Sequence, residues 1–391
     1  MKVALVHDYL REFGGAERVL MALHEMYPDA PVYTAFYDTA AMGIHAGHFK
    51  GWDIRETWLA RVPLIKKLYS PLRFLASKAF ADLDLSGYDL VISSSNAYFA
   101  KAVKVPNGVH ICYCHTPPRA MYGYSVMGDW RRNPITRFGG TLLNHFLRVI
   151  DVKVSRENVD VFIANSKETA RRIKKFYKRQ SIVVHPPIDV PTKSKLKSVA
   201  DRHYYLYASR LTLSKHPELA VTACNQLGLP LKVVGLGKMD TTLKEIAGPT
   251  IEMLSDVSDQ ELADLYAGAK ALLYPSEDED FGMVPVEAMG YGTPAIAHRS
   301  GGPIETIVEG ETGLFFDELS VESLKKAIQK FQEQPFSPEK IAAHAARFNK
   351  PAFRRGISKV IREASLLSKN WYIKIDILKI ILMLNVIKLY C

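Results

Sequence analysis

Cysteine is scarce in this chain. Cys112, Cys114, Cys224 and Cys391 are the only four in 391 residues, too few and too unevenly spaced for the disulfide scaffold of a small secreted domain. Cys112 and Cys114 alternate within the apolar run HICYCHT, near His110 and His115. Zinc ligands are spaced more widely and a second ligand pair is missing, so no metal site is expected there. A long uncharged apolar run is also missing. The most apolar stretch, 370–391, is broken by Lys374, Asp376, Lys379 and Lys388 and is too short and too charged to span a bilayer comfortably. An interfacial helix and packing against the body or a partner are its two readings. No internal repeat, low-complexity tract or nucleic-acid-binding motif occurs, and the opening MKVALVHDYL reads as a strand, not as a charged segment before a signal-peptide core. The expected setting is a reducing cytoplasm.

What is present is an ordinary globular balance. Apolar residues make up 48% and charged residues 24%, which fits neither a disordered chain nor a multi-span membrane protein. The length suffices for two domains with separate cores. Short β-branched and aromatic runs alternate with amphipathic stretches throughout, the pattern of βα units around parallel sheets. Predicted strands of the first half are VALVHD (3–8), PVYTAF (31–36), DLVISSS (89–95), HICYCHT (110–116), VFIANS (161–166) and SIVVHP (181–186). The stretch 187–202 has Pro, Lys and Ser but little apolar periodicity, so it reads as an interdomain linker.

The rhythm restarts with YYLYASR (204–210), LKVVGLG (231–237), TIEMLSD (250–256), ALLYPS (271–276), PAIAHR (294–299) and GLFFD (313–317). The predicted fold is α/β, with a domain over 1–190, a second over 200–348, a helix at about 350–368 returning to the first domain, and a tail over 369–391. Ligands of doubly wound sheets sit outside the carboxyl ends of the strands, so a cleft between two facing sheets is the expected site. The formal charge of +10 is concentrated in two helix-like stretches, 61–78 and 167–179. Without a nucleic-acid motif, an anionic membrane surface or plain solvation of a helix face accounts for them.

Three constellations carry candidate chemistry. After the first strand, Gly14 and Gly15 precede a helix starting near Ala16; helix N-terminal amides with glycines admit a phosphate, and an ordinary tight turn is the alternative. The spacing is not G-x-G-x-x-G, so a nicotinamide site is not expected. At the end of YYLYASR, Arg210 and Lys215 can converge on a diphosphate, Arg210 by its planar fork and Lys215 as a point charge, though solvating surface cations would look the same. In the stretch 275–317, Glu279 falls in the loop after a strand and Glu287 in the first turns of a helix, with Phe281, Gly282, Met283 and Pro285 between them. The amides around Gly282 would face sugar hydroxyls or phosphate, and the carboxylates can accept hydrogen bonds from a sugar and a ribose. His115, at a strand end, is open to a structural or a site role.

The E-x7-E spacing of Glu279 and Glu287, the following G-T-P and S-G-G-x-x-E elements, the S-R-L-x-x-x-K element from Ser209 to Lys215 and the Gly14-Gly15 loop together resemble glycosyltransferase family 4 over almost the full chain. The resemblance implies a GT-B fold, two Rossmann-like domains facing across a cleft. It implies that Glu279 contacts the transferred sugar, Glu287 the ribose, Arg210 and Lys215 the diphosphate, Gly15 its phosphate from the opposite domain, and His115 the sugar's reactive end. Gly302 and Glu305 would shape the donor pocket or pack a helix N-terminus. The wording VHDYL…GGAERVL, SGYDLVISSS, ICYCHTPPR, FIANS and DFGMVPVEA resembles the bacterial O-antigen and exopolysaccharide mannosyltransferase branch, which implies GDP-mannose as donor and a lipid-linked glycan acceptor at the inner face of the plasma membrane. Asp280 stands where many family members have Gly and recurs in that branch.

Family 4 members retain anomeric configuration and need no metal or other cofactor. Asp278-Glu279-Asp280 and Asp82-Leu83-Asp84 read as D-x-D, the metal-diphosphate motif of single-domain GT-A enzymes, but the two-sheet layout and the cations Arg210 and Lys215 argue against that assignment. A UDP-sugar-dependent transferase, a sugar-nucleotide 2-epimerase and a non-catalytic sugar-nucleotide-binding scaffold are the alternatives.

Overall fold

The computed structural model of the protein describes residues 1–124, 133–191, 196–255 and 257–366. The tail 369–391, Cys391 and part of the expected linker lie outside the described residues. Two parallel sheets organise the rest. The first contains β1 (Val3–His7), β2 (Val32–Thr34), β3 (Ile54–Glu56), β4 (Leu90–Ser95), β5 (Val109–Cys114), β6 (Val161–Ala164) and β7 (Ile182–Val183) in the order β3-β2-β1-β4-β5-β6-β7. The second contains β8 (Tyr204–Ala208), β9 (Leu231–Val234), β10 (Ile251–Leu254), β11 (Ala269–Tyr274), β12 (Ala295–His298) and β13 (Gly313–Phe316) in the order β10-β9-β8-β11-β12-β13. Each order reverses direction once, at β1/β4 and at β8/β11, the switch points of doubly wound folds.

The strands are central and parallel, so both faces are covered and the runs are apolar without alternation: β1 is buried at every position. On the first sheet, one face packs Leu5, Leu20, Leu23 and Ile92. Phe353, Ile357, Val360 and Ile361 of a closing helix over 350–366 join the same cluster, although they follow the second domain in sequence. The chain therefore crosses between domains twice, and the crossings touch: Ile188 N–H donates to Phe348 O at 2.9 Å, and Ile188 bridges Asn349. The two domains are joined at this doubled strand.

Two local expectations change. β3 carries Ile54, Arg55 and Glu56, half-buried to exposed, and as a short edge strand has no apolar run by which to be read. The basic stretch 61–78 is not one helix but a 3-10 turn (Trp58–Arg61), a helical turn (Ile65–Leu68), a second 3-10 turn (Pro71–Leu75) and a short helix (Ala76–Ala81). Pro63 and Pro71 interrupt its helical hydrogen bonding, and Leu64 between them sits at φ +61°. The second basic stretch does form a helix, Lys167–Tyr177, but its Arg172 is buried and faces the other domain.

Candidate active site

Both switch points open onto the same cleft. From the first sheet, β1 leads through Gly14 into the helix Gly15–Met26, whose Glu17 carboxylate accepts from Gly14 N–H at 2.8 Å and so fixes the glycine loop. From the second, β8 leads to Arg210 and Lys215, and β11 leads to the loop of Glu279 and the helix Met283–Gly290. The two sides meet closely. A side chain at Gly14 would lie 3.4 Å from Arg210 Nη2, and one at Gly15 would lie 2.7 Å from Met283 Sδ. Glycine there keeps the loop backbone open to whatever occupies the cleft.

Each candidate cation has a carboxylate beside it. Arg210 is half-exposed and pairs with Glu12 of the glycine loop at 3.1 Å. Lys215 donates to Glu279, both largely buried. Burial alone would push the Glu279 carboxyl up, but the charges of Lys215 and Arg119 outweigh it, and with hydrogen bonds from Lys215 and Tyr274 they hold it down to about 2. Glu279 is therefore an anion at any working pH. Its loop is shaped by Gly302 N–H donating to Glu279 O at 2.8 Å and by Gly301 at φ +62°, where a side chain would meet Glu279 O at 2.2 Å. Glu287 lies in the helix that follows, where Arg18 Nη1 of the first domain donates to it at 2.9 Å and Tyr266 Oη at 3.2 Å.

Gly282 sits at φ +81° as the residue before the helix Met283–Gly290, leaving that helix's first amides at the cleft. The Phe281 side chain does not reach a ligand: it is buried beside His185 and Phe348 in the second core, so only its backbone can contribute. Of the two readings of Glu305, the structure shows packing against a helix N-terminus. Its carboxylate accepts from Lys167 N–H at 2.8 Å and approaches His185 Nε2 at 3.3 Å, so it caps the helix Lys167–Tyr177 across the domain boundary and does not line the donor pocket. It lies within a single-turn helix, Pro303–Thr306.

His115 follows β5 and is buried, with its Nε2 at 2.8 Å from Ser94 Oγ; His7 Nδ1 lies 3.0 Å from the same hydroxyl, and His7 Nε2 lies 3.3 Å from Glu17. In the arrangement in which Glu17 accepts from His7 Nε2–H, His7 Nδ1 accepts from Ser94 and Ser94 accepts from His115 Nε2–H. The chain leaves His115 Nδ1 as an acceptor. Burial, and secondarily His7, bring the His115 pKa down to about 3, so the ring is neutral. Cys112 and Cys114 are buried free thiols, His110 is held by Ser93 Oγ and Asn158 O, and among the described residues no cluster of metal-ligating side chains occurs.

Two family models divide the chain at residue 191: Glycosyltransferase Family 4 matches 13–191 and Glycosyl transferases group 1 matches 191–348. Between them the two glycosyltransferase models cover most of the chain. Among its relatives, an uncharacterized glycosyltransferase of Methanocaldococcus jannaschii is 27% identical over 45% of this chain and 50% of its own length. An alpha-1,3/1,6-mannosyltransferase of Candida glabrata is 23% identical over 79% of this chain and 78% of its own length. A D-inositol 3-phosphate glycosyltransferase of a Nocardioides species is 26% identical over 56% and 58% respectively. The chain thus spans between about half and three quarters of these relatives. The solved structure of Anabaena HepE in complex with UDP and glucose superposes with a TM-score of 0.64 at 18% identity, covering 93% of this chain and 99% of that one. That superposition and the two sheets establish the GT-B fold.

Several residues of the cleft were not read from the sequence. Glu17 had a signal, standing three residues after Gly14 in capping-box position. Arg18, Arg119, Arg172 and Glu12 had none, because each acts on the opposite domain. Asp280 was noted only as a departure from glycine, yet it accepts from Arg119 Nε at 3.3 Å and from Arg172, while both arginines also donate to Asp278 O.

Proposed function

We propose that the protein is a retaining glycosyltransferase that moves mannose from GDP-mannose onto a lipid-linked oligosaccharide precursor of O-antigen, capsule or exopolysaccharide, at the inner face of the plasma membrane. The observation that carries this reading is the meeting of Arg210, Lys215 and Glu279 with the Gly14-Gly15 loop at two facing switch points. A diphosphate placed there takes over the cations from Glu12 and Glu279, receives the amides of the glycine loop and of the helix after Gly282, and leaves Glu279 free for sugar hydroxyls. Glu287, held by Arg18 and Tyr266, has lone pairs remaining for the ribose.

In the transfer, the bond from the anomeric carbon to the diphosphate oxygen breaks and the acceptor oxygen bonds to the same face of that carbon. The proton of the acceptor hydroxyl passes to the departing phosphate, so no side-chain base is called for. Arg210 and Lys215 stabilise the negative charge that grows on the leaving group. His115, neutral and accepting through Nδ1, orients a sugar hydroxyl; a charged imidazolium there would oppose the positive charge developing on the sugar.

Mannose is favoured by the branch resemblance and by the mannosyltransferase relative that matches most of the chain. The UDP and glucose bound by the Anabaena neighbour favour a second reading, a UDP-sugar donor. Calorimetric titration with GDP-mannose, UDP-glucose and UDP-N-acetylglucosamine separates the two, with Glu287→Ala and Lys215→Ala as controls. Selective GDP-mannose binding lost in both variants is expected; selective UDP-sugar binding moves the donor, and no binding at all defeats the enzyme reading.

A further inference from the structure

The helix Pro134–Glu157 is apolar on two sides. Leu143, Leu147, Ile150 and Val154 pack into the core beneath the first sheet. On the outer side Phe138, Leu142, Phe146 and Val149 are 58% to 69% exposed. At 3.6 residues per turn these outer residues fall within an arc of roughly 80°, away from the core-facing set. A helix that needed only to cover its sheet would be polar on that side, so the outer stripe marks a surface that is covered when the protein works.

The neighbouring basic segment packs on the helix away from the stripe: Arg73 donates to Asn144 Oδ1, and Leu72 and Leu75 share the core with Leu143 and Leu147. The charge along the helix is mainly basic. No acidic residue occurs between Glu56 and Asp82, and the only one between Asn133 and Glu157 is Asp151, which is buried and paired with Lys101 at 2.7 Å. Lys66, Lys67, Arg148 and Lys153 are exposed. Apolar side chains flanked by the cations Arg148 and Lys153, with the exposed acid of the helix confined to its last residue, Glu157, fit the boundary between anionic headgroups and acyl chains.

We propose that this face docks on an anionic lipid bilayer, with the helix lying in the interface and Phe138, Leu142, Phe146 and Val149 dipping into it. The inference rests on the proposed lipid-linked acceptor for its purpose, and names the surface by which the protein reaches it. Charge complementarity argues against the other occupants: a second copy of the same face would set cations against cations, and the apolar tail is itself basic.

The test is co-flotation of the full chain with vesicles of phosphatidylcholine alone or mixed with phosphatidylglycerol, without nucleotide or acceptor. Binding to the mixed vesicles, weakened by salt, is expected, with a loss of at least about tenfold for the variant Leu142→Asp/Phe146→Asp. Far-ultraviolet circular dichroism and nucleotide-sugar calorimetry on that variant establish that its fold and donor site are intact, so a failed donor reading and a failed docking face are told apart. Phe146→Trp should add a fluorescence blue shift with mixed vesicles. Wild-type-like binding by the double aspartate variant, which leaves the tail to hold the membrane, overturns the proposal. So does absence of wild-type binding, or a wild-type dimer in size-exclusion chromatography that the double variant makes monomeric.

Discussion

Arg172, buried in the helix after β6, donates to the carboxylate of Asp280 in the loop after β11, so the first domain grips the loop next to Glu279. The same guanidinium is held by Glu168 at 2.9 Å and Thr116 at 3.2 Å, and it reaches Asp278 O at 3.0 Å. Asp278 itself stands at φ +52°, with its N–H donating to Ser300 Oγ at 3.1 Å. A loop in this unfavourable conformation is kept in place by partners from both domains. The contact ties the position of the sugar-facing carboxylate to the relative placement of the domains.

Asp280→Ala should therefore loosen the domain contact without dissolving either core. Removing a hydrogen-bonded carboxylate from two arginines is expected to lower stability by about 1 to 3 kcal/mol, read from the urea midpoint. Donor KM should rise because Glu279 loses its fixed loop. An unchanged midpoint with unchanged KM would reduce the contact to an incidental surface pair.

Lys215→Ala removes the charge placed nearest Glu279. The loss of one donor at a developing oxyanion is expected to cost about 2.7 to 4 kcal/mol in kcat, roughly two to three powers of ten. The variant also frees Glu279 from its partner, so the Glu279 carboxyl should titrate higher than in the wild type. Steady-state kinetics with the donor identified by calorimetry tests the first effect, and carboxyl carbon NMR the second.

Glu12 is predicted to act in the opposite sense. It pairs with Arg210 at 3.1 Å, where a diphosphate would compete with it. Glu12→Gln removes a competing charge and should tighten binding of the free nucleoside diphosphate, by an amount that shrinks as salt rises. Weaker binding would mean that Glu12 orients Arg210 productively instead.

The sheets were legible because parallel strands buried on both faces appear as unbroken apolar runs, as in VALVH and ALLY. β3 was not, being short and at an edge. Glu279, Glu287, Arg210 and Lys215 were legible as spacings within one domain. The partners that hold them were not: Arg18 is 269 residues from Glu287, and Arg172 is 108 from Asp280. A pairing across a cleft leaves no periodicity in the sequence. The outer stripe of the helix Pro134–Glu157 was missed for another reason, since an apolar helix reads as buried until its surroundings are known.

His115 gives a pH dependence. Its pKa falls from an ordinary value near 6.5 to about 3 in the fold, so between those values the unfolded chain binds a proton that the folded protein does not. Stability should therefore decline as pH falls from about 6.5 toward 3 on account of this group, and recover nothing above that range. His115→Asn should flatten that part of the urea-midpoint profile. Across pH 5 to 8 the wild-type kcat/KM should show no ionisation assignable to His115; a limb near 6.5 that vanishes in His115→Asn would mean the ring is protonated in the working enzyme.

Gly15 separates packing from phosphate binding. A methyl group there would lie 2.7 Å from Met283 Sδ, the far end of a flexible side chain, and Gly15 needs no left-handed backbone. Gly15→Ala should thus fold normally, with the thioether shifting aside. If the glycine serves only to make room for Met283, adding Met283→Ala restores donor KM fully. If it serves to let a phosphate reach the loop backbone, the methyl still stands in the way and KM stays raised by about tenfold in the double variant, the loss expected for one charge-assisted hydrogen bond. The second outcome is the one predicted, because Gly14 beside it faces Arg210 and the pair opens onto the cleft where the diphosphate is proposed to lie.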